Sequence, residues 1–412
     1  MKVLASSMVC ALALLVAPAQ GQDAGPEINL AELLQTPLQI ERAEPSSTIP
    51  FERRFGKMVI EASVNGEGRS FIFDTGSPTV ISRQFAEELG LQPIATNRGR
   101  DANGAIVEMQ FAIAETITLG GTTFHDVPVL IHDFTTVEMG SCVFDGGVIG
   151  SEIFPQSIWQ FDAANSHIRI SAPQNTPSYS PSGRISARMV QSGYPHPPVI
   201  EYRIGDIADR ALFDTGSGAG IAIFDDMLES VEVREAITDG SLREGRGSMG
   251  VSAGGEGEET SLLRFGFDGL VLGGTTLSNV PAENRAVPPN LLGVAMLDRY
   301  RVTLNYPGSW AVFDPLPEPI LRPPHAGYGI TFRDGAAVVS QIFEGSAPHA
   351  AGLTLGDTVL AVDDMNLADL DETGRCDAMH RFVDTDLLRD ARTITVLRPG
   401  EDAPTTIRID GD

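Results

Sequence analysis

Phe71-Ile72-Phe73-Asp74-Thr75-Gly76-Ser77 is answered later in the chain by Ala211-Leu212-Phe213-Asp214-Thr215-Gly216-Ser217. Each string runs from apolar, strand-like residues into an Asp-Thr-Gly turn and then a serine. One Asp-Thr-Gly is an ordinary turn; two in the same context indicate a repeated unit. Two further pairs extend the match. Ile117-Thr118-Leu119-Gly120-Gly121-Thr122-Thr123, with Val127-Pro128-Val129 beyond it, is matched by Leu270-Val271-Leu272-Gly273-Gly274-Thr275-Thr276 and Val280-Pro281-Ala282. Val148-Ile149-Gly150 is matched by Leu291-Leu292-Gly293, and a strand-like run follows each. Matched blocks in one order mean a duplicated domain. The offset between copies drifts by about a dozen residues, as insertions in surface loops would cause.

Each copy reads as mostly β. Asn65-Gly66 between two β-rich runs predicts a hairpin turn. Ser82 to Leu89, with Phe85 and Leu89 four apart and Gly90 behind, predicts a short helix. Ala172 to Gly183 is rich in Pro, Ser and Asn and reads as a linker. Pro315, Pro317, Pro319, Pro323 and Pro324 make a second, stiffer one. Neither repeat block recurs after it, so a third domain runs to the end. Residues 20–49 carry no strong periodicity and read as a tether or short propeptide.

The 412 residues, 42 % hydrophobic and 20 % charged, describe a globular chain of more than one domain. Met1-Lys2, an apolar run from Val3 to Ala17, and Ala17-Pro18-Ala19 have the pattern of a secretory signal over residues 1–19. The run is short of the roughly 20 residues that span a bilayer. Only Cys142 and Cys376 follow it, too few for a disulfide framework. The seven histidines are scattered, so no metal or cofactor is expected. A formal charge of −26 argues against nucleic acid as a partner.

A duplicated fold can set two strand-end turns face to face across a pseudo-twofold axis. Two carboxylates about 3 Å apart cannot both ionise and hold one shared proton. One then serves as base and the other as acid in one step, the combination that hydrolysis of a peptide by water requires. Gly76 and Gly216 allow close backbone approach. Ser77 and Ser217 are expected to donate to the carboxylates, and Thr75 and Thr215 to bond across to the facing turn.

These blocks resemble those of the retropepsin-like and pepsin-like aspartic peptidases, over about residues 50–315. The resemblance implies catalytic Asp74 and Asp214, and β-hairpin flaps around Arg98–Val107 and Glu244–Glu258. No Tyr lies in Thr96–Gln110, unlike a pepsin-type first flap, which favours the retropepsin-like branch with both lobes in one chain. Gly327-Tyr328-Gly329-Ile330, Gly345-Ser346-Ala347-Pro348, Ala351-Gly352-Leu353 and Gly356-Asp357 resemble a PDZ domain. There the loop Gly327, Tyr328, Gly329 and Ile330 would take a peptide C-terminus, with a groove helix over Ala378–Leu388.

The expected architecture is therefore mostly β. Two duplicated acid-protease-like β-barrel lobes form a bilobal peptidase (50–171 and 190–315, linked by 172–189). A Pro-rich linker (316–324) leads to a small α+β PDZ domain (325–412). The expected partners are protein or peptide substrates and a peptide ligand of the PDZ domain. The expected state is an exported monomer, in a bacterial periplasm, with no membrane span. Two rivals stay open: a non-catalytic peptide-binding protein, and a peptidase active only as a homodimer of lobes.

Overall fold

The computed structural model describes residues 30–409 apart from 323; the signal segment expected at 1–19 lies outside the described residues. The protein is mostly β, and its strands repeat one wiring twice. In the first unit, Lys57–Val64 pairs antiparallel with Glu67–Phe73, through a turn that puts Asn65 at φ 51° and Gly66 at φ 90°. Glu67–Phe73 then lies parallel to Gly147–Ile149. In the second unit, Val199–Ile204 pairs antiparallel with Ile207–Asp214, which lies parallel to Asn290–Gly293. Val80–Ser82 beside Thr122–His132 has its counterpart in Ile221–Phe224 beside Val280–Arg285, both parallel. The sequence repeat is thus a repeat of strand pairing.

The units are joined by antiparallel strands. Ile158–Asp162 of the first pairs with Tyr300–Asn305 of the second, Phe161 opposite Val302. His167–Ser171 and Ser46–Arg54 extend this sheet on one side, Trp310–Pro315 and Ile185–Val190 on the other. A single apolar core runs beneath, from Ile49 through Phe73, Trp159 and Phe213 to Phe313.

Two expected boundaries move. Residues 39–49, expected within a tether or short propeptide, are paired into the sheets. Gln39–Arg42 pairs with Thr122–His132, and Ser46–Arg54 pairs with both His167–Ser171 and Lys57–Val64. Ile49 and Phe51 are buried in alternation with exposed neighbours, a period-two pattern that Pro45 and Pro50 disguise. Likewise the 172–189 linker ends as a strand, Ile185–Val190, with Ile185, Ala187 and Met189 buried. The helix predicted over Ser82 to Leu89 covers Arg83–Glu88, and buries Phe85 and Ala86.

Residues 328–409 have a core of their own, with Tyr328, Phe332, Val339, Phe382 and Val396 among its members. The Pro-rich segment before it is pinned to the second unit. Leu316 and Ile320 donate to the carbonyls of Arg299 and Asp298, and Arg322 forms an ion pair with Asp298. Several contacts then fasten this C-terminal unit to the rest, three of them as follows. Cys142, in Gly140–Val143, is disulfide-bonded to Cys376, in Glu372–Asp384. Their separation of 234 residues left the bond invisible to sequence reading. Asp384 accepts from the amides of Phe55 and Gly56 at 2.5 and 2.8 Å. Arg243–Ser248 pairs antiparallel with Ala336–Phe343, Gly247 opposite Gln341. Gly247 sits at φ 143°, and a Cβ there would run into the carbonyl of Ser340, so a larger residue would break the joint.

Among the described residues no helix is long and apolar enough to cross a membrane.

Candidate active site

Asp74 follows the strand Glu67–Phe73 and Asp214 ends Ile207–Asp214, so each carboxylate stands at the tip of a strand whose preceding Phe is fully buried. The turns meet within the chain. Thr75 donates its hydroxyl to the carbonyl of Phe213 at 2.6 Å, and Thr215 donates to that of Phe73 at 2.7 Å. The amides of Thr75 and Thr215 donate to the opposite hydroxyls at 3.1 and 3.0 Å. Both threonines are buried, so no water competes for these four bonds.

Each aspartate accepts from the glycine two residues on, Gly76 to Asp74 at 2.9 Å and Gly216 to Asp214 at 2.7 Å. A Cβ on Gly76 would lie 2.6 Å from Cγ of Asp214, and one on Gly216 would lie 2.5 Å from Oδ2 of Asp74. The carboxyls therefore sit over the opposite turn and hydrogen-bond to each other. Burial, then the charge of Asp214, then that hydrogen bond push the Asp74 carboxyl up to about 8, against the opposing pull of Lys57 and the Gly76 amide. The pair holds a proton across neutral pH.

The serines act differently from expectation. Ser77 donates to the carbonyl of Pro78 at 2.7 Å, and among the described residues the hydroxyl of Ser217 donates to neither carboxylate. Their backbones matter more. The carbonyl of Ser77 accepts from Ser151, and that of Ser217 from Val294, at 2.9 and 2.8 Å. These bonds tie each turn to the residue following Gly150 or Gly293.

The carboxylates open into a cleft of about 2980 Å³ between the two units. Two hairpins roof it, Ala95–Arg100 with Ile106–Leu119, and Arg243–Ser248 with Glu259–Phe267. Their tips touch. Ala102 donates to the hydroxyl of Ser252 at 3.2 Å, Asn103 to the carbonyl of Gly250 at 3.1 Å, and Gly254 to Asp101 at 2.9 Å. His132 Nε2 donates to the carbonyl of Ala253 at 3.0 Å. A half-buried acid pair beneath closed hairpins is chemically suited to activating a water against an extended peptide.

Residues 60–153 match the aspartyl protease family. No match is found among curated proteins. The aspartyl protease match supports a protease-like function. It contains Asp74 and Gly150 and ends before Asp214, so the second carboxylate comes from outside the matched segment.

Two buried groups beside the site carried no sequence signal. Glu152, 3 % exposed, follows the Val148-Ile149-Gly150 block and accepts from the amide of Thr79 at 2.9 Å. Burial raises its carboxyl to about 7. Tyr194 lines the cleft from the segment before Val199–Ile204 and packs on Phe111 at 6.1 Å. Its hydroxyl and Oε1 of Glu152 are buried without a hydrogen-bond partner among the described residues. A tyrosine therefore reaches the cleft although the first hairpin lacks one. Only the fold brings it there.

The loop expected to receive a peptide C-terminus runs directly into a strand. Gly327 has φ 84°, but Tyr328 already begins the strand Tyr328–Arg333, is buried, and donates to the carbonyl of Leu388 at 3.0 Å. Gly329 and Ile330 continue that strand across a register shift. The helix beside it spans Glu372–Asp384 and not Ala378–Leu388; a separate short helix, Leu387–Asp390, follows.

Proposed function

We propose that this chain is an aspartic endopeptidase in which a water held between Asp74 and Asp214 attacks the peptide carbonyl. The observation that carries the reading is the reciprocal seating of the carboxylates, each over the glycine of the other's turn. The ionised carboxylate takes a proton from the water while the protonated one gives its proton to the carbonyl oxygen, producing a tetrahedral diol. Breakdown returns a proton to the departing nitrogen as the C–N bond breaks. No covalent acyl-enzyme is required. Since both turns come from one chain, the homodimeric rival needs a second copy for nothing the geometry lacks. A protein that only bound peptides would not need a shared-proton pair.

In this reading residues 325–412 are a PDZ domain that binds substrate or partner peptides, and the protein is exported to an oxidising compartment such as the periplasm. The signal pattern supports export, and so does the Cys142–Cys376 disulfide, a bond at home outside the reducing cytosol.

The test is cleavage of an unfolded, carboxymethylated protein by the mature chain and by Asp74→Asn and Asp214→Asn. Each variant is expected to lose at least about a thousandfold in kcat while keeping its fold. Full activity in either one rejects the paired mechanism.

A further inference from the structure

The pseudo-twofold relation permits a position-by-position comparison of the cleft's two walls. In the first unit Ile72 pairs with Val148, and Leu130 lies between Val80 and Phe111. In the second, Leu212 pairs with Leu291, and Glu283 lies between Ala222 and Arg264. The strand registers are the same, so Leu130 corresponds to Glu283 and Phe111 to Arg264. The first wall is a buried apolar cluster around Ile72, Val80, Leu130 and Val148. Its counterpart shrinks to Ala219, Ala222 and Leu291, with Leu212 against them. Two residues of opposite charge, opposite each other across the strands, have replaced the apolar pair, within one cleft.

Glu283 feels Arg264, Lys57 and Arg285, and Arg285 in turn feels Asp214 as well as Glu283. Arg264 is occupied: its guanidinium lies 4.9 Å from the ring of Phe343 and reaches Oε1 of Gln341 at 3.5 Å. Lys57 donates to the carbonyl of Gly216. Arg285 stands two residues beyond Glu283 on the same strand face, and among the described residues it spends only Nε, on the carbonyl of Val287. Its remaining N–H groups suit a carboxylate, which a planar guanidinium binds through two parallel bonds.

We propose that the second-unit side of the cleft is an acid-recognising subsite centred on Arg285. The substrate would carry Asp or Glu on one side of the scissile bond. On the other side a large apolar residue would enter the pocket of Ile72, Val80, Leu130 and Val148. This proposal rests on the peptidase reading for its orientation, and on the wall comparison for its chemistry. An incoming carboxylate would take the guanidinium N–H groups that the bond to Val287 leaves free.

The test is to sequence the products of a proteome-derived peptide library after digestion by the wild type and by Arg285→Leu and Arg285→Glu. The wild type should enrich Asp or Glu beside the cut, on the side opposite the apolar residue. The ratio of kcat/KM for a Glu peptide over its Gln twin should be roughly tenfold to a hundredfold. Arg285→Leu should bring that ratio close to one, and Arg285→Glu should turn the enrichment toward Lys and Arg. Cutting without acid enrichment in the wild type overturns the subsite while leaving the peptidase reading intact, as does a ratio unchanged in Arg285→Leu. If the wild type cuts nothing, the peptidase reading falls, and calorimetric binding of the Glu and Gln twins decides the subsite. Tighter binding of the Glu peptide upholds it, and equal binding overturns it.

Discussion

Thr75 and Thr215 hold each other's turns: each hydroxyl accepts from the other's amide and donates to the carbonyl of the residue before the other's aspartate. Four bonds depend on two hydroxyls. Thr75→Val keeps the shape and removes both functions of one hydroxyl, leaving the Thr215 amide and the Phe213 carbonyl buried without partners. The expected loss is about 2–4 kcal/mol, measured by urea unfolding, with a fall in kcat. Thr75→Ser should retain most of both. A valine variant as stable and active as wild type would remove the cross-bonds from the account of the dyad.

Gly76→Ala and Gly216→Ala probe the same seam sterically. The added methyl lands on the opposing carboxylate, which must move to admit it. Both variants should fold, since the clash lies at the cleft, and both should lose more than about a hundredfold in kcat because the carboxylates are pushed apart. Circular dichroism and turnover, measured together, separate this from misfolding.

The dyad's proton sets the alkaline limb of activity. With the Asp74 carboxyl raised to about 8, kcat/KM should hold through neutrality and fall as pH passes about 8, where the shared proton is lost. Lys57 opposes that rise, so Lys57→Met should move the limb to higher pH. A limb that stays put, or moves down, would mean another group is titrating.

Glu152 produces a separate effect on stability. Its folded-state pKa, about 7, is above its ordinary 4.5, so the fold binds its proton more tightly than the unfolded chain does. Its contribution is complete below pH 4.5 and is lost as pH rises through 7, amounting to about 3 kcal/mol at most. Glu152→Gln should flatten the dependence of Tm on pH across that window. An equally steep decline in the variant would assign it elsewhere.

Cys142 and Cys376 close a long loop between the first and C-terminal units, and the cross-link should contribute about 2–5 kcal/mol. The second roof hairpin is also held by the C-terminal unit, through the strand Ala336–Phe343 and through Arg333, which grips Glu256 at 2.6 and 2.8 Å. Cys376→Ser should therefore lower Tm and speed amide exchange in residues 249–258, far along the chain from the lost bond. Exchange accelerated only in 140–143 would show that the hairpin is held independently.

The sequence by itself determined the mostly β fold and the duplication, because apolar strands ending in Asp-Thr-Gly-Ser and matched Gly-Gly and apolar-apolar-Gly blocks are local patterns. It also marked Asp74 and Asp214 as equivalent positions. Where a signal was disguised, as at Ile49 and Phe51 on either side of Pro50, the boundary was misplaced. Tertiary structure alone decided which groups meet. The glycine amides and not the serine hydroxyls serve the carboxylates, Tyr194 reaches the cleft and Glu152 the amide of Thr79 beside it, Cys142 finds Cys376, and Arg264 and Glu283 stand where Phe111 and Leu130 stand in the other unit. Strand periodicity and turn chemistry act over a few residues. A pairing across a hundred or more residues depends on the register in which the strands close, and no local pattern records that.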